Sequence, residues 1–554
     1  MSSSKEKTGG FLLHGGILAA ASIIVRLIGM IYRIPMVNII GSEGSGYYAN
    51  AYSIYNILLL LSSYSLPLSV SKMVSARLTV HKWKETKRVF VTAIVFAGTV
   101  GILFSLITLF GADFFCSVII KSPKSALALK CLAPTVLVMS FLGVLRGFFQ
   151  GHETMIPTAL SQILEQIVNA FVSVGMAAIL FHAGMEAVVD GTAEKLAASF
   201  GAAGGTIGTG AGALTALVFF IILYVKYRPG FLSRAAKDKR KNPAPYGKLL
   251  HILTMTAVPV ILSTAVFNAV ELIDAALFNN AMAVRGIEER VYTSTWGDYN
   301  NAFLLLIHLP VAVSSAIGSA LVPSLSAAYA RHDHDTVRQK TSLAIRVTLL
   351  FAIPVALGEM AIGGSLAKLL FSGLGDQAPL FLTVGGFSVI AFSLSTVTNA
   401  ILQGINRMKI PVVHAFLSLV GHAGLAALLL FVFKADIFAV IVSYMLFGTA
   451  IAVMNLIVTM RLTGFSLKPV RSILFPFVAS FFMVLICLLI SFLFSRVLQG
   501  RILHFLIVFA SLLIGGAVYL LLVLLFGSIS KKMLLEMPGG ERIASLFKKL
   551  RLLK

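Results

Sequence analysis

The first long apolar segment of the chain carries four residues that share one face of a predicted helix: Ser22, Arg26, Gly29 and Arg33. Steps of three and four residues place them on the same side of an α-helix. Arginine keeps its charge at any accessible pH, and its planar fork binds two phosphate oxygens at once. Arg26 and Arg33, with a glycine between them, are therefore predicted to bind a pyrophosphate. The alternative is structural, with Arg33 reaching the membrane surface and Arg26 paired with an acid.

A second polar stripe interrupts a later apolar run. Its members recur at helical spacing and are Gln162, Glu165, Gln166 and Asn169. A single polar face on an otherwise apolar helix is typical of a helix that lines a wetted cavity. The stripe, together with Ser22, is predicted to line such a cavity. Glu165 is either a proton or cation site or the counter-charge to Arg26.

A third group, Asn268, Glu271 and Asp274, shares one face of another apolar run. Two carboxylates one helical turn apart repel each other, and a bound cation or a shared proton would relieve that repulsion. Glu271 and Asp274 are therefore candidate sites for a coupling ion, Na⁺ or H⁺, and Asn268 is predicted to line the cavity. The alternative places Asp274 in solvent near the outer end. Glu359 stands alone and is predicted to be a buried acid with its hydrogen bonds satisfied.

Other residue types exclude several kinds of site. The three cysteines form neither a disulfide framework nor a zinc pattern, and no pattern indicates catalysis or a bound cofactor. The glycine-rich stretch 201–212 lacks the Lys-Ser/Thr of a nucleotide-binding loop, so helix packing and a flexible outer loop explain it better. Tyr48, Tyr52 and Tyr55 share a face and are interpreted as an interfacial tyrosine belt.

The elements that position these residues must lie in a membrane. Hydrophobic residues make up 58% of the 554 and charged residues only 12%, far from the composition of a soluble domain. Runs long enough to cross a bilayer as helices predict an all-α polytopic membrane protein. Fourteen such runs can be marked: 11–38, 46–71, 89–111, 131–149, 157–181, 204–226, 249–278, 299–323, 343–368, 378–402, 410–433, 437–460, 473–494 and 503–527.

The distribution of charge orients these spans. The formal net charge is +23, and most of the lysines and arginines fall in alternate loops that begin with the N-terminus. Because such loops face the cytoplasm, the excess charge predicts that both termini are cytoplasmic. It gives no reason to expect a nucleic-acid partner.

Two short motifs indicate an internal repeat. Leu66-Pro67-Leu68-Ser69-Val70-Ser71 recurs as Leu309-Pro310-Val311-Ala312-Val313-Ser314, and Gln150-Gly151 recurs as Gln403-Gly404. Both copies start from the same side, which predicts a parallel repeat of two six-helix bundles plus an appended pair of helices. The predicted domains are an N-terminal lobe (1–228), a basic cytoplasmic linker (229–248), a C-terminal lobe (249–460), helices 13 and 14 (461–527) and a basic cytoplasmic tail (528–554).

Several of these residues carry a resemblance to a known family. Arg26-Leu27-Ile28-Gly29 with Arg33, the LPLSVS motif and Arg146-Gly147-Phe148-Phe149-Gln150-Gly151 resemble the polysaccharide-transporter branch of the MOP superfamily. Within that branch the chain is similar to the YtgP/SpoVB group and to MurJ-type lipid II flippases.

The resemblance implies two lobes in a V that rock between inward-open and outward-open states in a bacterial cell membrane. It implies a polyprenyl-pyrophosphate-linked sugar substrate, most specifically lipid II, with Arg26 and Arg33 facing the cavity and a lipid-tail groove over about 473–527. Cell-wall synthesis proteins are the implied partners. The chain departs from the group because its second lobe contributes Glu271, Asp274 and Glu359 and no arginine in the middle of a span.

The predicted function is therefore a non-enzymatic flippase that works by alternating access, driven by membrane potential or an ion gradient. Three alternatives from the same superfamily stay open: a multidrug or cation antiporter, a flippase for another polyprenyl-linked polysaccharide, and a sporulation-stage paralogue. A membrane-embedded polymerase or glycosyltransferase is disfavoured, because its catalytic acids need a substantial outer loop that the sequence lacks. A scaffold without transport activity would have no use for charges buried at helical spacing.

Overall fold

The computed structural model describes residues 2–186, 193–238 and 243–528, and all regular structure within them is helical. The basic tail after residue 528 and linker residues 239–242 lie outside this part of the chain. The α-helices are α1 (Ser2–Leu59), α2 (Leu66–Leu78), α3 (Trp83–Phe114), α4 (Ala126–Gly151), α5 (Ile156–Glu186), α6 (Ala193–Lys237), α7 (Tyr246–Val284), α8 (Glu289–Asp298), α9 (Leu306–Ala330), α10 (His334–Leu370), α11 (Phe381–Gly385), α12 (Ser388–Gly404), α13 (Lys409–Ala427), α14 (Ile437–Thr463), α15 (Phe475–Ser495), α16 (Gly500–Ala510) and α17 (Gly516–Leu525).

The described residues contain 11 helices long and apolar enough to cross a membrane, or up to 13 when two bent pairs each count as one span. One bend, of 47°, divides α7 between Leu262 and Thr264. The 58 residues of α1 would extend about 87 Å as one rod, far beyond a hydrocarbon core of about 30 Å. Gly41, with φ of 69°, breaks α1 into two helices. The predicted all-helical, multi-pass class is confirmed, and the exact count of fourteen stays a prediction.

The chain divides into two compact units, which we call the N-unit (Met1–Gly297) and the C-unit (Asp298–Lys554). The N-unit packs around aromatic residues such as Phe90, Phe148 and Phe231. The C-unit has its own core of aliphatic residues, including Leu325, Ile345 and Ile401. The N-unit extends through α7 and most of α8, past residue 228, where the first lobe is predicted to end.

The repeat motifs occupy equivalent places in the two units. In the N-unit, α2 begins with the LPLSVS motif and packs on α4, which ends at Gly151. In the C-unit, α9 contains the LPVAVS motif and packs on α12, which ends at Gly404. A side chain at Gly151 would come within 2.6 Å of Val74 on α2, and one at Gly404 within 3.0 Å of Leu325 on α9. In each unit, the glycine of the Gln-Gly pair therefore lies against the helix that carries the other motif.

Glycines of α6 bring this helix close to α5. Gly204, Gly208 and Gly212 recur every fourth residue, and a side chain at any of them would collide with α5. Small residues at this spacing let two membrane helices approach backbone to backbone. The predicted role in helix packing is thus observed. The expected flexible loop is wrong, because stretch 201–212 lies entirely within α6.

Candidate functional site

Arg33 lies inside the N-unit against a ladder of tyrosine rings. The break at Gly41 folds α1 back, so that the Arg33 guanidinium sits over the Tyr48 ring at 5.7 Å from its centroid. The Tyr48 and Tyr52 rings lie 4.4 Å apart, and Tyr52 meets the edge of Tyr55 at 5.6 Å. Tyr48 and Tyr55 are only 3% and 2% exposed. The interpretation as an interfacial belt is therefore wrong, since these rings are internal.

The polar stripe of α5 faces this part of α1. A side chain at Gly29 would come within 3.0 Å of the Gln166 amide nitrogen, so Gln166 lies directly against the glycine of the first helix. Asn169 is buried and donates from Nδ2 to the Tyr32 hydroxyl at 3.4 Å. The face of α1 that carries Arg33 and the stripe of α5 are thus brought together.

Helix α6 closes the third side of the cluster. Tyr52 and Thr209 share a hydrogen bond between their hydroxyl groups. Ser173 donates both to Asn169 Oδ1 at 2.8 Å and to the Gly205 carbonyl at 2.7 Å. Because α6 approaches so closely, its backbone serves as a hydrogen-bonding partner for the polar stripe of α5.

Helix α7 packs on α1 and carries an acid, Glu271, within electrostatic range of Arg33. The charges of Arg33 and Glu271 interact, as do those of Glu271 and Asp274. Asp274 is only 1% exposed, so the alternative that placed it in solvent is wrong. Asn268 donates to the Thr264 carbonyl one turn earlier in α7, at 2.9 Å. Both predicted coupling carboxylates therefore belong to the N-unit, rather than to the second lobe where the sequence placed them.

Glu165 pairs with an arginine that sequence reasoning did not select as a site residue. Arg146 Nη2 lies 2.6 Å from Glu165 Oε2, and the same guanidinium donates to Ser161 Oγ at 3.2 Å. Arg146 is 9% exposed and lies within α4, near the end of the predicted span 131–149. The counter-charge of Glu165 is therefore Arg146, not Arg26. The available signal was the Arg146–Gly151 motif, one turn before the end of the helix.

The remaining predicted residues take different positions. Arg26 is exposed, and within the described residues no ion pair involves it. Gln162 has a buried Oε1 without a hydrogen-bond partner. The side chain of Ser22 lies outside the described residues.

The C-unit has an uncharged counterpart of the Arg146 network. Asn399 precedes the Gln403-Gly404 pair by one turn, as Arg146 precedes Gln150-Gly151. Asn455 donates to Asn399 Oδ1 at 2.6 Å, and its own Oδ1 lies 2.7 Å from His414 Nδ1. The repeat thus conserves a polar connection between helices while replacing the ion pair by amides and a histidine.

An all-helical, multi-pass chain with repeated helix pairs and a buried arginine–acid–tyrosine cluster belongs to the class of membrane transporters rather than to the enzymes. Residues 12–329 match the family model described as "Polysaccharide biosynthesis protein", and residues 301–428 match the MatE model. The chain therefore belongs to the polysaccharide biosynthesis protein family, the polysaccharide-transporter branch of the MOP superfamily.

Relatives and solved structures agree with this assignment. The chain is 22% identical to Stage V sporulation protein B of Bacillus subtilis (strain 168), over 95% of this chain and 98% of that protein. It is 25% identical to the Lipid II flippase MurJ of the same organism, over 98% and 99%. A solved structure of a lipid II flippase MurJ in an inward closed conformation matches with a TM-score of 0.62 at 13% identity, covering 92% of this chain and 98% of that one. The structural match shows the shared fold.

Proposed function

We propose that this protein is a flippase for a polyprenyl-pyrophosphate-linked sugar, most specifically lipid II, moved from the inner to the outer leaflet by alternating access. The observation that carries the proposal is Arg33, a permanent cation that lies over the Tyr48 ring inside the N-unit, with Glu271 within electrostatic range. A charge near the centre of a bilayer costs about 2.5–3.5 kcal/mol even on lenient insertion scales, and such charges mark substrate and ion pathways. The similarity to a lipid II flippase along nearly the whole chain supports the same substrate class.

The geometry around Arg33 suits a diphosphate. The Tyr48 ring covers one face of the guanidinium, and such stacking leaves the N–H groups at the guanidinium edge for bidentate bonds to phosphate oxygens. Arg26 lies two turns away, about 10 Å along the helix axis, and is exposed. We assign one arginine to each phosphate, with Arg26 making the first contact.

Glu271 connects substrate binding to an ion. The carboxylate and the diphosphate are both anions that compete for Arg33, so the diphosphate binds best when a proton or Na⁺ neutralises Glu271. Asp274, one turn along α7, strengthens the demand for a cation because its charge repels that of Glu271. Glu271 and Asp274, which are predicted from the sequence to be a coupling pair, thereby act on the substrate through Arg33.

The setting follows from the same proposal. We place the protein in a bacterial cell membrane with both termini in the cytoplasm, where the lipid-linked precursor is made available on the inner leaflet. Cell-wall synthesis proteins are the proposed partners on either side of the transport step.

The test uses cells depleted of their own flippase and complemented with variants at matched protein levels. Arg33→Ala should abolish rescue, and Arg26→Ala should weaken it. Arg338→Ala serves as a control, because Arg338 forms an exposed pair with Asp335. Lipid II should accumulate on the inner leaflet when the wild-type protein is withdrawn. Full rescue by both Arg33→Ala and Arg26→Ala would refute the diphosphate role.

A second candidate function is multidrug or cation antiport. The match of residues 301–428 to the MatE model favours it, as do the acids Glu271 and Asp274 on α7. Drug efflux that persists in Arg33→Ala, without any change in the position of lipid II, would support this candidate over the flippase.

A further inference from the structure

Glu359 on α10 is a partly buried acid with one carboxyl oxygen that has no hydrogen-bond partner. Its Oε2 atom is buried and makes no hydrogen bond. The prediction of a satisfied buried acid is therefore wrong. The position is well inside α10, five residues after Pro354.

The surroundings of Glu359 differ from those of the acids in the N-unit. Glu165 contacts Arg146 at 2.6 Å, and the charge of Glu271 is offset by that of Arg33. A cation near an acid offsets part of the cost of burying the carboxylate. Glu359 has no such compensation.

The elements packed against α10 explain the isolation of Glu359. On its neighbouring face, α10 packs closely on α11 and α12, where Gly363 meets Leu382 and Gly386 meets Met360. Helices α11, α12 and α15 contain no charged residue. The titratable or charged side chains on the elements that contact α10 are His308 and Tyr329 on α9, Tyr444 and Arg461 on α14, Arg471 at 470–474, Cys487 on α15, Arg501 and His504 on α16, and Tyr519 on α17, whose hydroxyl donates to the Leu350 carbonyl.

None of these groups bonds to Glu359 Oε2. His308 Nε2 instead lies 3.2 Å from the Tyr444 hydroxyl, and Arg501 donates to the carbonyls that end α10. The other charged or titratable residues of α10 itself are His334, Asp335, Arg338, Lys340, Arg346 and Lys368. Lys368 lies more than two turns beyond Glu359, and the others lie more than three turns before it.

A lone ionised carboxylate in such a place is too costly to persist, so the group neutralises by holding a proton. A metal ion would need further ligands, and the described residues contain no group of three or more His, Cys, Asp or Glu side chains able to supply them. We propose that Glu359 is a proton-binding site in the C-unit, through which a proton gradient is coupled to transport. This proposal rests on the proposed transport function but not on Arg33 or on lipid II as the substrate.

The direct test is modification by a membrane-permeant carbodiimide, which adds to protonated carboxyl groups in apolar surroundings. The purified full-length protein in lipid nanodiscs is treated with dicyclohexylcarbodiimide, and the adduct is located by peptide mass spectrometry. Glu359 should be labelled at pH 7, and labelling should fall as the pH is raised. Glu165 in the same sample is the internal control and should stay unlabelled, because its Oε2 is engaged by Arg146 Nη2 at 2.6 Å. Absence of label on Glu359 in folded protein would overturn the proposal.

The coupling is tested with a flipping assay in proteoliposomes that hold a fluorescent lipid II analogue. An imposed pH gradient should stimulate the wild-type protein several-fold over its rate without a gradient. Glu359→Gln, a neutral isostere, should retain the rate without a gradient and lose the stimulation. Asp335→Asn on the same helix should behave as wild type. Stimulation that survives in Glu359→Gln would overturn the coupling role.

Failure of the proposed substrate can be distinguished from failure of the proposed proton site. If the protein flips no lipid II analogue, the proposed substrate fails while the labelling of Glu359 still decides whether the site holds a proton. If Glu359→Gln does not fold, the labelling of the wild-type protein and the gradient response of Glu359→Asp decide the proposal. A gradient response of Glu359→Asp identical to that of the wild type across pH would then count against it.

Discussion

Breaking the Arg146–Glu165 pair should destabilise the N-unit strongly. The two side chains are 2.6 Å apart and only 10% and 21% exposed, so removing one partner leaves a nearly buried charge. Loss of one member of a buried pair costs 3–5 kcal/mol in known cases. Because Glu165 keeps some access to its surroundings and Arg146 retains Ser161, we expect about 3 kcal/mol for Glu165→Ala, near the lower end of that range.

The assay is a reversible unfolding titration in mixed detergent micelles. It is run on the single variants Arg146→Met and Glu165→Leu and on the double variant that combines them. The double variant should be more stable than either single variant, because no buried charge is left unpaired. The exposed pair Arg338–Asp335, 57% and 79% exposed, is the control and should change stability by less than about 1 kcal/mol. Purely additive effects at Arg146 and Glu165 would refute the reasoning.

Three further predictions concern the cluster and its supports. Tyr48→Leu should reduce flipping, because it removes the ring beneath Arg33, whereas Tyr48→Phe should retain most activity. Equal activity of the two variants would argue against a stacking role. Gly297→Ala should cost about 1–3 kcal/mol by overpacking, since the new methyl would lie 2.7 Å from the Gly46 nitrogen. Gly421→Ala, with open space around it, should be neutral in the same unfolding titration. Asp333 caps α10 by accepting from the Thr336 amide at 3.0 Å, and those bonds lower the pKa of its carboxyl. Its stabilisation is therefore present above the unfolded pKa of about 4 and lost as the pH falls through the lower folded value. Hydrogen exchange at the start of α10 should rise in acid for the wild type but not for Asp333→Asn.

The sequence predicted the class of fold because the long apolar runs admit only helices in a membrane. It also predicted the polar stripe of α5 correctly as a shared face, since helical periodicity is local. The face of α1 that carries Arg33 and the stripe of α5 that carries Asn169 therefore meet in the structure, with Asn169 bonded to Tyr32.

Long-range contacts escaped prediction for identifiable reasons. The Arg33–Tyr48 contact depends on the break at Gly41, and three tyrosines at helical spacing look the same whether they face lipid or protein. The Arg33–Glu271 interaction depends on the packing of α7 against α1 within the N-unit. The positions of the two residues along the chain do not reveal that packing. The Arg146–Glu165 pair joins α4 to α5, and the periodicity of one helix does not reveal which residue of another helix it meets.

The central claim is that Arg33 binds the diphosphate of a lipid-linked sugar and that Glu271 competes for it. The most direct measurement is the affinity of purified protein in nanodiscs for undecaprenyl pyrophosphate across pH, compared among wild type, Arg33→Ala and Glu271→Gln. We predict at least a tenfold loss of affinity for Arg33→Ala. Glu271→Gln should bind more tightly than wild type and with a weaker dependence on pH, since its neutral side chain no longer competes. Unchanged affinity in Arg33→Ala, or weaker binding in Glu271→Gln, would contradict the claim.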